Sequence, residues 1–302
     1  MKRQGSNQAA PAMTQLEWIK RLVVISMFSD DALMEYLVLK GGNALDLVYK
    51  LSARASMDID LSMREDFPGG ADALFERISR VLSVTFRDEK ISVFDVKIAD
   101  RPENMSPELA TFWGGYKIEF KLIDEQRYKA LADDLEALRR EAIRIGSAGK
   151  FMIDISRHEF IDGKQAVQFD GYRVFVYSPE MIIAEKLRAI CQQLPEYGPV
   201  VLRNRAGSPR ARDFVDIWRL CKHTRADPFS PVNRALLEAV FAVKRVPLSL
   251  LRQVHTQREF HRTDYPAVLA TVHPGEQLAE SFDEYFGFVL DLIARLEPLG
   301  DV

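Results

Sequence analysis

Runs in which apolar and polar residues alternate predict the strands of this chain. The clearest is MDIDLSM, residues 57–63, in which apolar side chains alternate with Asp58, Asp60 and Ser62. A period of two places both aspartates on the same face of a strand, roughly 6.6 Å apart. The other predicted strands are residues 91–98, 116–122, 150–156 and 172–177.

Apolar residues spaced three and four positions apart predict helices between and after these strands. The principal predicted helices are residues 14–28, 43–51, 71–83, 124–145, 178–194, 212–222 and 276–296. We expect Asn43 to be the N-cap of the second of these helices. Leu131, Leu135 and Leu138 would form the inner face of one long helix over residues 124–145.

Two neighbouring features in the stretch 39–63 suggest chemistry. Gly41 and Gly42 directly precede a helix start, where free backbone N–H groups and the helix dipole suit a phosphate. Asp58 and Asp60 would repel each other unless a cation lay between them, and oxygen ligands suit Mg²⁺. Either feature alone is common, as an ordinary turn or a solvated strand face. Their combination around one short helix is much more specific.

Composition limits the class of protein. The chain has 302 residues and a net charge of −3, so any contact with RNA must come from a local basic patch. Cys191 and Cys221 are too few for a disulfide framework and fit buried, reduced thiols. Residues 1–13 look disordered and lack the apolar core of a signal peptide. Without an apolar run of about 18 residues no membrane span is expected, and we predict a cytoplasmic protein.

The stretch LKGGNAL, followed by Arg54, Ser56 and DIDL, resembles the signature of the DNA polymerase β-like nucleotidyltransferase superfamily. The complete pattern of these residues resembles that of the AbiEii/AbiGii-type nucleotidyltransferase toxins, although Asn43 stands where that family commonly has Ser or Thr. The resemblance implies an α+β nucleotidyltransferase fold, with a small mixed β-sheet flanked by helices. It implies catalytic and metal-binding roles for Asp58 and Asp60. The predicted nucleotide-binding residues are Gly41, Gly42, Asn43, Arg54, Ser56 and Lys186.

Three further motifs extend the resemblance. A third carboxylate would complete a two-ion Mg²⁺ site, and KFMIDIS favours Asp154 over the competing Glu119. AEKLRA matches the motif that carries the family's functional lysine, which would be Lys186, although helix periodicity alone suggests an ordinary surface lysine. RDFVDIWRL matches a motif with an acidic site residue. Asp213 is the better match and Asp216 the second, and both are expected on the side of the helix opposite its buried face.

These inferences predict two domains and a reaction. Residues 14–177 would form the nucleotidyltransferase domain, and residues 178–302 a mostly helical domain that contributes Lys186 and Asp213 to the cleft. NTP would be the substrate and an acceptor hydroxyl would receive the nucleotide. By resemblance, the leading acceptor is a tRNA 3′ end, the protein is a toxin, and a separate antitoxin is its partner.

Some alternatives stay open at this level. The loop containing Arg203, Arg205, Arg210 and Arg212 could contact triphosphate or RNA backbone, or could serve only solubility. The acceptor could instead be a small molecule or a protein hydroxyl. A non-catalytic nucleotide- or partner-binding protein on the same fold is also possible, although it would not need to keep metal ligands.

Overall fold

The structure of the protein is a computed structural model. It describes residues 13–52, 58–131, 133–226, 230–273 and 276–296. The predicted nucleotide-binding residues Arg54 and Ser56 lie outside the described residues, as do residues 1–12 of the predicted disordered N-terminus.

The centre of the fold is a seven-stranded mixed sheet with the strand order β3-β4-β5-β2-β1-β7-β6. The pairs β2–β5 and β1–β7 are parallel, and the other neighbouring strands are antiparallel. The strands are β1 (Val38–Leu39), β2 (Ile59–Ser62), β3 (Ile91–Arg101), β4 (Gly115–Asp124), β5 (Phe151–Ser156), β6 (Lys164–Phe169) and β7 (Tyr172–Tyr177).

Helices flank the sheet and make up most of the chain after β7. In the first part they are α1 (Gln15–Phe28), α2 (Asp31–Tyr36), α3 (Gly41–Asn43), α4 (Gly70–Asp88), α5 (Pro107–Ala110), α6 (Glu125–Leu131) and α7 (Leu135–Glu141). After β7 they are α8 (Pro179–Cys191), α9 (Ala211–His223), α10 (Pro231–Ala242), α11 (Arg258–Arg262), α12 (Tyr265–Leu269) and α13 (Phe282–Leu296). A π-helical turn at Ala44–Val48 and 3₁₀ segments at Pro195–Val201 and Leu248–Gln257 complete the set. The predicted α+β class, with a mixed sheet and a mostly helical C-terminal part, is confirmed.

The main hydrophobic core of the described residues joins the sheet to the helices of both parts of the chain. It includes buried side chains from α1 and the central strands as well as from α8, α9 and α13. Helix α8 follows β7 directly, because Ser178 caps it by accepting a hydrogen bond from the Met181 N–H at 3.2 Å. The sheet therefore fixes the position of α8 and of Lys186 within it. The domain boundary at residue 177 stays a prediction.

The prediction of one long helix over residues 124–145 is wrong. Asp134 accepts a hydrogen bond from the Ala137 N–H at 2.9 Å and starts α7 as a second short helix. Leu135, which was expected on the inner face, is 45% exposed. A local cap therefore overrides the apolar spacing, since the side-chain oxygen satisfies a backbone N–H at the new helix start. The last helix also begins later than predicted, at Phe282.

None of the described helices is both long enough and apolar enough to cross a membrane.

Candidate active site

A cavity of about 470 Å³ opens between the central strands and helices α8 and α9. We call it the central cavity. Its walls include the glycine turn, four aspartates, and basic side chains from both halves of the chain. The predicted site residues that line it are Gly41, Gly42, Asp58, Asp60, Asp154, Lys186 and Asp213. The fold thus brings together residues that are up to 172 positions apart, from Gly41 to Asp213.

The glycine turn lies directly against Asp60. Gly41 adopts a φ of +63°, and a Cβ atom built there would lie 2.7 Å from Asp60 Oδ2. The Lys40 N–H donates to the Asp60 carbonyl at 3.0 Å, which joins the turn to β2. Glycine is needed at position 41 both for the left-handed backbone and for the close approach of the carboxylate.

Asn43 is not the N-cap that we predicted. The helical turn begins at Gly41, with Lys40 in the capping position. Asn43 is fully buried, and its side-chain amide donates a hydrogen bond to the backbone carbonyl of Asp58. The two glycines let the chain turn into the helix earlier than the capping preference of asparagine suggested. Asn43 consequently holds the backbone that carries Asp58.

Parallel pairing of β2 and β5 places Asp60 and Asp154 side by side. They are Cα partners in the register of these strands, and Asp58 lies in the bend that precedes β2. Burial raises the pKa of Asp60 to about 6, with Lys40 opposing the shift and Glu185, Asp154 and Asp58 adding to it. Burial also raises the pKa of Asp58, and Asp154 contributes to the shift. Mutual repulsion in a partly desolvated space is the arrangement that a cation would relieve.

Glu119, the competing third carboxylate, lies away from this cluster. Its side chain pairs with Lys150 at 2.7 Å and Lys117 at 2.9 Å. These hydrogen bonds lower the pKa of Glu119. The structure therefore brings Asp154, and not Glu119, beside Asp58 and Asp60.

A guanidinium group holds one oxygen of Asp154. Arg101 Nη1 donates to Asp154 Oδ2 at 2.5 Å, while Oδ1 is buried and has no hydrogen-bond partner among the described residues. In the part of the chain that the structure describes, no group of three or more Asp, Glu, His or Cys side chains is arranged to hold a metal ion. Two aspartates and one unpaired carboxylate oxygen nevertheless form a donor set of the kind that Mg²⁺ prefers.

Lys186 is buried and lies between two aspartates of α9. Its Nζ donates to Asp213 Oδ1 at 3.0 Å and to Asp216 Oδ2 at 2.7 Å. The expectation that both aspartates lie opposite the buried face is wrong, since they are 1% and 2% exposed. Burial alone would raise the pKa of Asp213, but Arg210 and Lys186 hold it well below its usual range. The lysine is therefore fixed in position, at the wall of the central cavity.

Lys40 is a cavity residue that sequence reasoning missed. Its Nζ donates to Glu185 Oε1 at 2.7 Å and to Ser156 Oγ at 3.1 Å. Although burial opposes it, Glu185 and Glu159 raise the pKa of Lys40, which stays protonated. The signal was available in the motifs themselves, because Lys40 precedes Gly41 and Glu185 precedes Lys186.

The four loop arginines have different surroundings. Arg203 donates to the backbone carbonyls of Gln192 at 2.8 Å and Leu194 at 3.0 Å, and so supports the end of α8. Arg205 is exposed. Arg210 and Arg212 line the central cavity, where they contribute positive charge opposite the carboxylates.

Comparison with known protein families gives a match over most of the chain. The family described as "Nucleotidyl transferase AbiEii toxin, Type IV TA system" matches residues 23–287. The chain belongs to the AbiEii nucleotidyltransferase toxin family. It is accordingly a nucleotidyltransferase, and the resemblance inferred from its motifs is confirmed.

A solved structure supports the fold, and a second shows a weaker similarity. A putative nucleotidyltransferase from H. pylori superposes with a TM-score of 0.52 at 17% identity, covering 96% of this chain and 100% of that one. MenT4, a nucleotidyltransferase toxin from Mycobacterium tuberculosis, has a TM-score of 0.47 at 14% identity, with 93% and 82% of the chains covered. A search of curated proteins found no significant match.

Proposed function

We propose that this AbiEii-family protein transfers a nucleoside monophosphate from an NTP to an acceptor hydroxyl and releases pyrophosphate. The acceptor oxygen forms a bond to the α-phosphorus, the bond from the α-phosphorus to the bridging oxygen of pyrophosphate breaks, and the hydroxyl proton is released. The observation that carries the proposal is the convergence of the glycine turn, three aspartates and Lys186 on one cavity. No single motif explains that convergence.

Asp58, Asp60 and Asp154 would hold Mg²⁺. Carboxylate oxygens suit this ion, and the buried, unpaired Oδ1 of Asp154 is a donor atom that a cation would satisfy. When bound, Mg²⁺ neutralises phosphate charge and lowers the pKa of the attacking hydroxyl. The Asn43 amide would keep Asp58 in place through its backbone carbonyl.

The remaining residues would bind and orient the phosphates. Gly41 and Gly42 would let the backbone approach the triphosphate closely. Lys186 would stabilise the negative charge that develops in the transition state. Asp213 would orient Lys186, because it accepts a hydrogen bond from its Nζ and is itself held by Arg210.

The proposed acceptor is an RNA, with a tRNA 3′ end as the first candidate. Support comes from the toxin family and from Arg212 at the cavity, where a guanidinium group matches phosphate oxygens. We further propose that transfer inhibits growth, that a separate antitoxin counteracts it, and that the protein acts in the cytoplasm.

The test is transfer of label from each α-³²P-NTP with Mg²⁺, offered total RNA in one tube and total protein in another. Asp58→Asn is the inactive variant, and Glu119→Gln is its matched control because it removes a carboxylate outside the cavity. Labelled tRNA-sized RNA that disappears only in Asp58→Asn supports the proposal.

Other results would change the proposed acceptor or reject the proposed function. Label on protein would move the acceptor to a hydroxyl side chain. A folded protein that binds nucleotide but labels neither fraction would leave the RNA acceptor unsupported and favour a small-molecule acceptor. Equal labelling by Asp58→Asn and the unmodified protein would reject the assignment of the carboxylates.

A further inference from the structure

Arg101 comes from the outer hairpin of the sheet and belongs to none of the motifs that mark the site. It is the last residue of β3, and its side chain is 62% exposed. Even so, its guanidinium lies 2.5 Å from Asp154 Oδ2, inside the central cavity. A mostly solvated side chain thus holds a carboxylate that the proposed reaction needs for its metal.

The register of the sheet explains how Arg101 reaches Asp154. Arg101 is paired with Gly115 of β4, and Gly115 is paired with Ser156 of β5. Since Gly115 has no side chain, β4 places no side chain at the register position between Arg101 and Ser156. A Cβ atom at this position would lie 2.0 Å from the Ile155 carbonyl oxygen, so the pairing of β4 with β5 requires glycine at position 115.

Lys117 is a second basic residue close to Asp154 along the sheet. It is the direct register partner of Asp154, yet its Nζ pairs with Glu119 at 2.9 Å. The cation nearest to Asp154 along the sheet is therefore held elsewhere. Asp154 is paired instead with a long side chain that is mostly exposed, so the guanidinium stays close to solvent when it leaves the carboxylate.

We propose that Arg101 exchanges partners when the site is loaded. In the free protein its guanidinium neutralises Asp154, and when Asp58, Asp60 and Asp154 bind the metal it moves to the phosphates of the nucleotide. The inference rests on the proposed function for its metal and its NTP. Arg101 then has two opposite effects. In the free protein it competes with the metal for the Asp154 carboxylate, and in the loaded protein it favours binding of the triphosphate.

The geometry supports both halves of the exchange. Asp154 already has one oxygen without a partner among the described residues, so loss of Arg101 from Oδ2 would leave a carboxylate open on both oxygens. Arg101 lines the same cavity as Lys186 and Arg212, and a guanidinium fork matches phosphate oxygens. A phosphate bound in this cavity would therefore lie in the space that the Arg101 side chain already lines.

The experiment measures two affinities in three proteins: the unmodified chain, Arg101→Ala and Lys117→Ala. Lys117→Ala is the matched control, because it removes one positive charge beside Asp154 without removing a contact to it. Glu119 keeps Lys150 as a partner in that variant. The first affinity is for Mn²⁺ alone, from the paramagnetic resonance signal of the free ion. The second is for inorganic tripolyphosphate with Mg²⁺, by calorimetry, which does not depend on the preferred base.

We expect Arg101→Ala to bind Mn²⁺ about fivefold more tightly, the scale of one partly exposed ion pair, and tripolyphosphate about fivefold more weakly. Lys117→Ala should change either affinity by less than about twofold. Unchanged or weaker Mn²⁺ binding in Arg101→Ala would overturn the proposal. An equal change in Lys117→Ala would also overturn it, because removal of any nearby positive charge would then explain the effect.

The failure of this inference can be told apart from failure of the proposed function. Mn²⁺ binding by a fourth protein, Asp58→Asn, separates the two. If Mn²⁺ binds to the unmodified chain and Asp58→Asn abolishes that binding, the metal site stands even when Arg101→Ala has no effect. If none of the variants binds Mn²⁺, the metal site and the exchange are both rejected. Binding of Mn²⁺ only after removal of Arg101 would support the exchange strongly.

Discussion

The stability of this protein should depend on the protonation state of one buried histidine. His261 in α11 is 0% exposed, and its ring lies 5.1 Å from those of Phe214 and Phe260. Its Nδ1 accepts a hydrogen bond from the backbone N–H of Arg210 at 3.1 Å, just before α9 begins. The ring must stay neutral to accept this bond, and α9 carries Asp213. Protonation of His261 would therefore break a contact at the start of α9, the helix that forms part of the active-site wall.

The size and sign of the effect follow from its pKa. Burial lowers the pKa of His261 from 6.5 to about 4, with Asp213 opposing the shift and Arg210 adding to it. Between these values the unfolded chain binds a proton that the folded chain does not, so stability falls as the pH drops below about 6.5. Linkage gives a loss of about 2 kcal/mol between roughly pH 7 and pH 5 from this residue.

The assay is urea unfolding at these two pH values for the unmodified protein, His261→Gln and His255→Gln. His255 is exposed and serves as the matched control. Glutamine at position 261 can still accept a hydrogen bond but does not titrate. We expect the pH-dependent loss to shrink by about 2 kcal/mol in His261→Gln and to be unchanged in His255→Gln. An equal loss in all three proteins would refute the reasoning.

Three substitutions test other contacts. Gly41→Ala should lower the free energy of unfolding by about 1–2 kcal/mol because of the left-handed backbone. It should also sharply reduce transfer, because the new Cβ would displace Asp60, and full activity would contradict this. Lys186→Met should lower transfer at least about 100-fold and the free energy of unfolding by about 3–5 kcal/mol, measured against the exposed Lys150→Met. Arg203→Ala should lower the free energy of unfolding by about 1–3 kcal/mol while transfer per folded molecule changes less than about twofold, and a larger loss of transfer would indicate a role in binding.

Local patterns were enough to identify most of the elements that carry the site. Alternation along β2 and β5 was visible in the sequence, and the capping residue Ser178 marked the start of α8. These features depend on side chains within a few positions of one another. The family could be inferred for the same reason, because each of its motifs lies within one short stretch of the chain.

The partners of the site residues could not be inferred in this way. The sequence favours Asp154 over Glu119 by resemblance and because lysines lie on either side of Glu119. The parallel register of β2 and β5 is what places Asp154 beside Asp60. Helix periodicity placed Lys186 at an edge and Asp213 on a polar side, whereas the packing of α8 against α9 buries both.

The sequence by itself determined the α+β class, the order of the main elements and the motifs of a nucleotidyltransferase. Only the tertiary structure decided that Asn43 holds the backbone of Asp58, that Arg101 reaches Asp154 and that His261 supports the start of α9. The physical reason is distance along the chain. Periodicity and capping report on neighbours within one or two turns, whereas these contacts between residues 15 to 53 positions apart depend on strand register and helix packing.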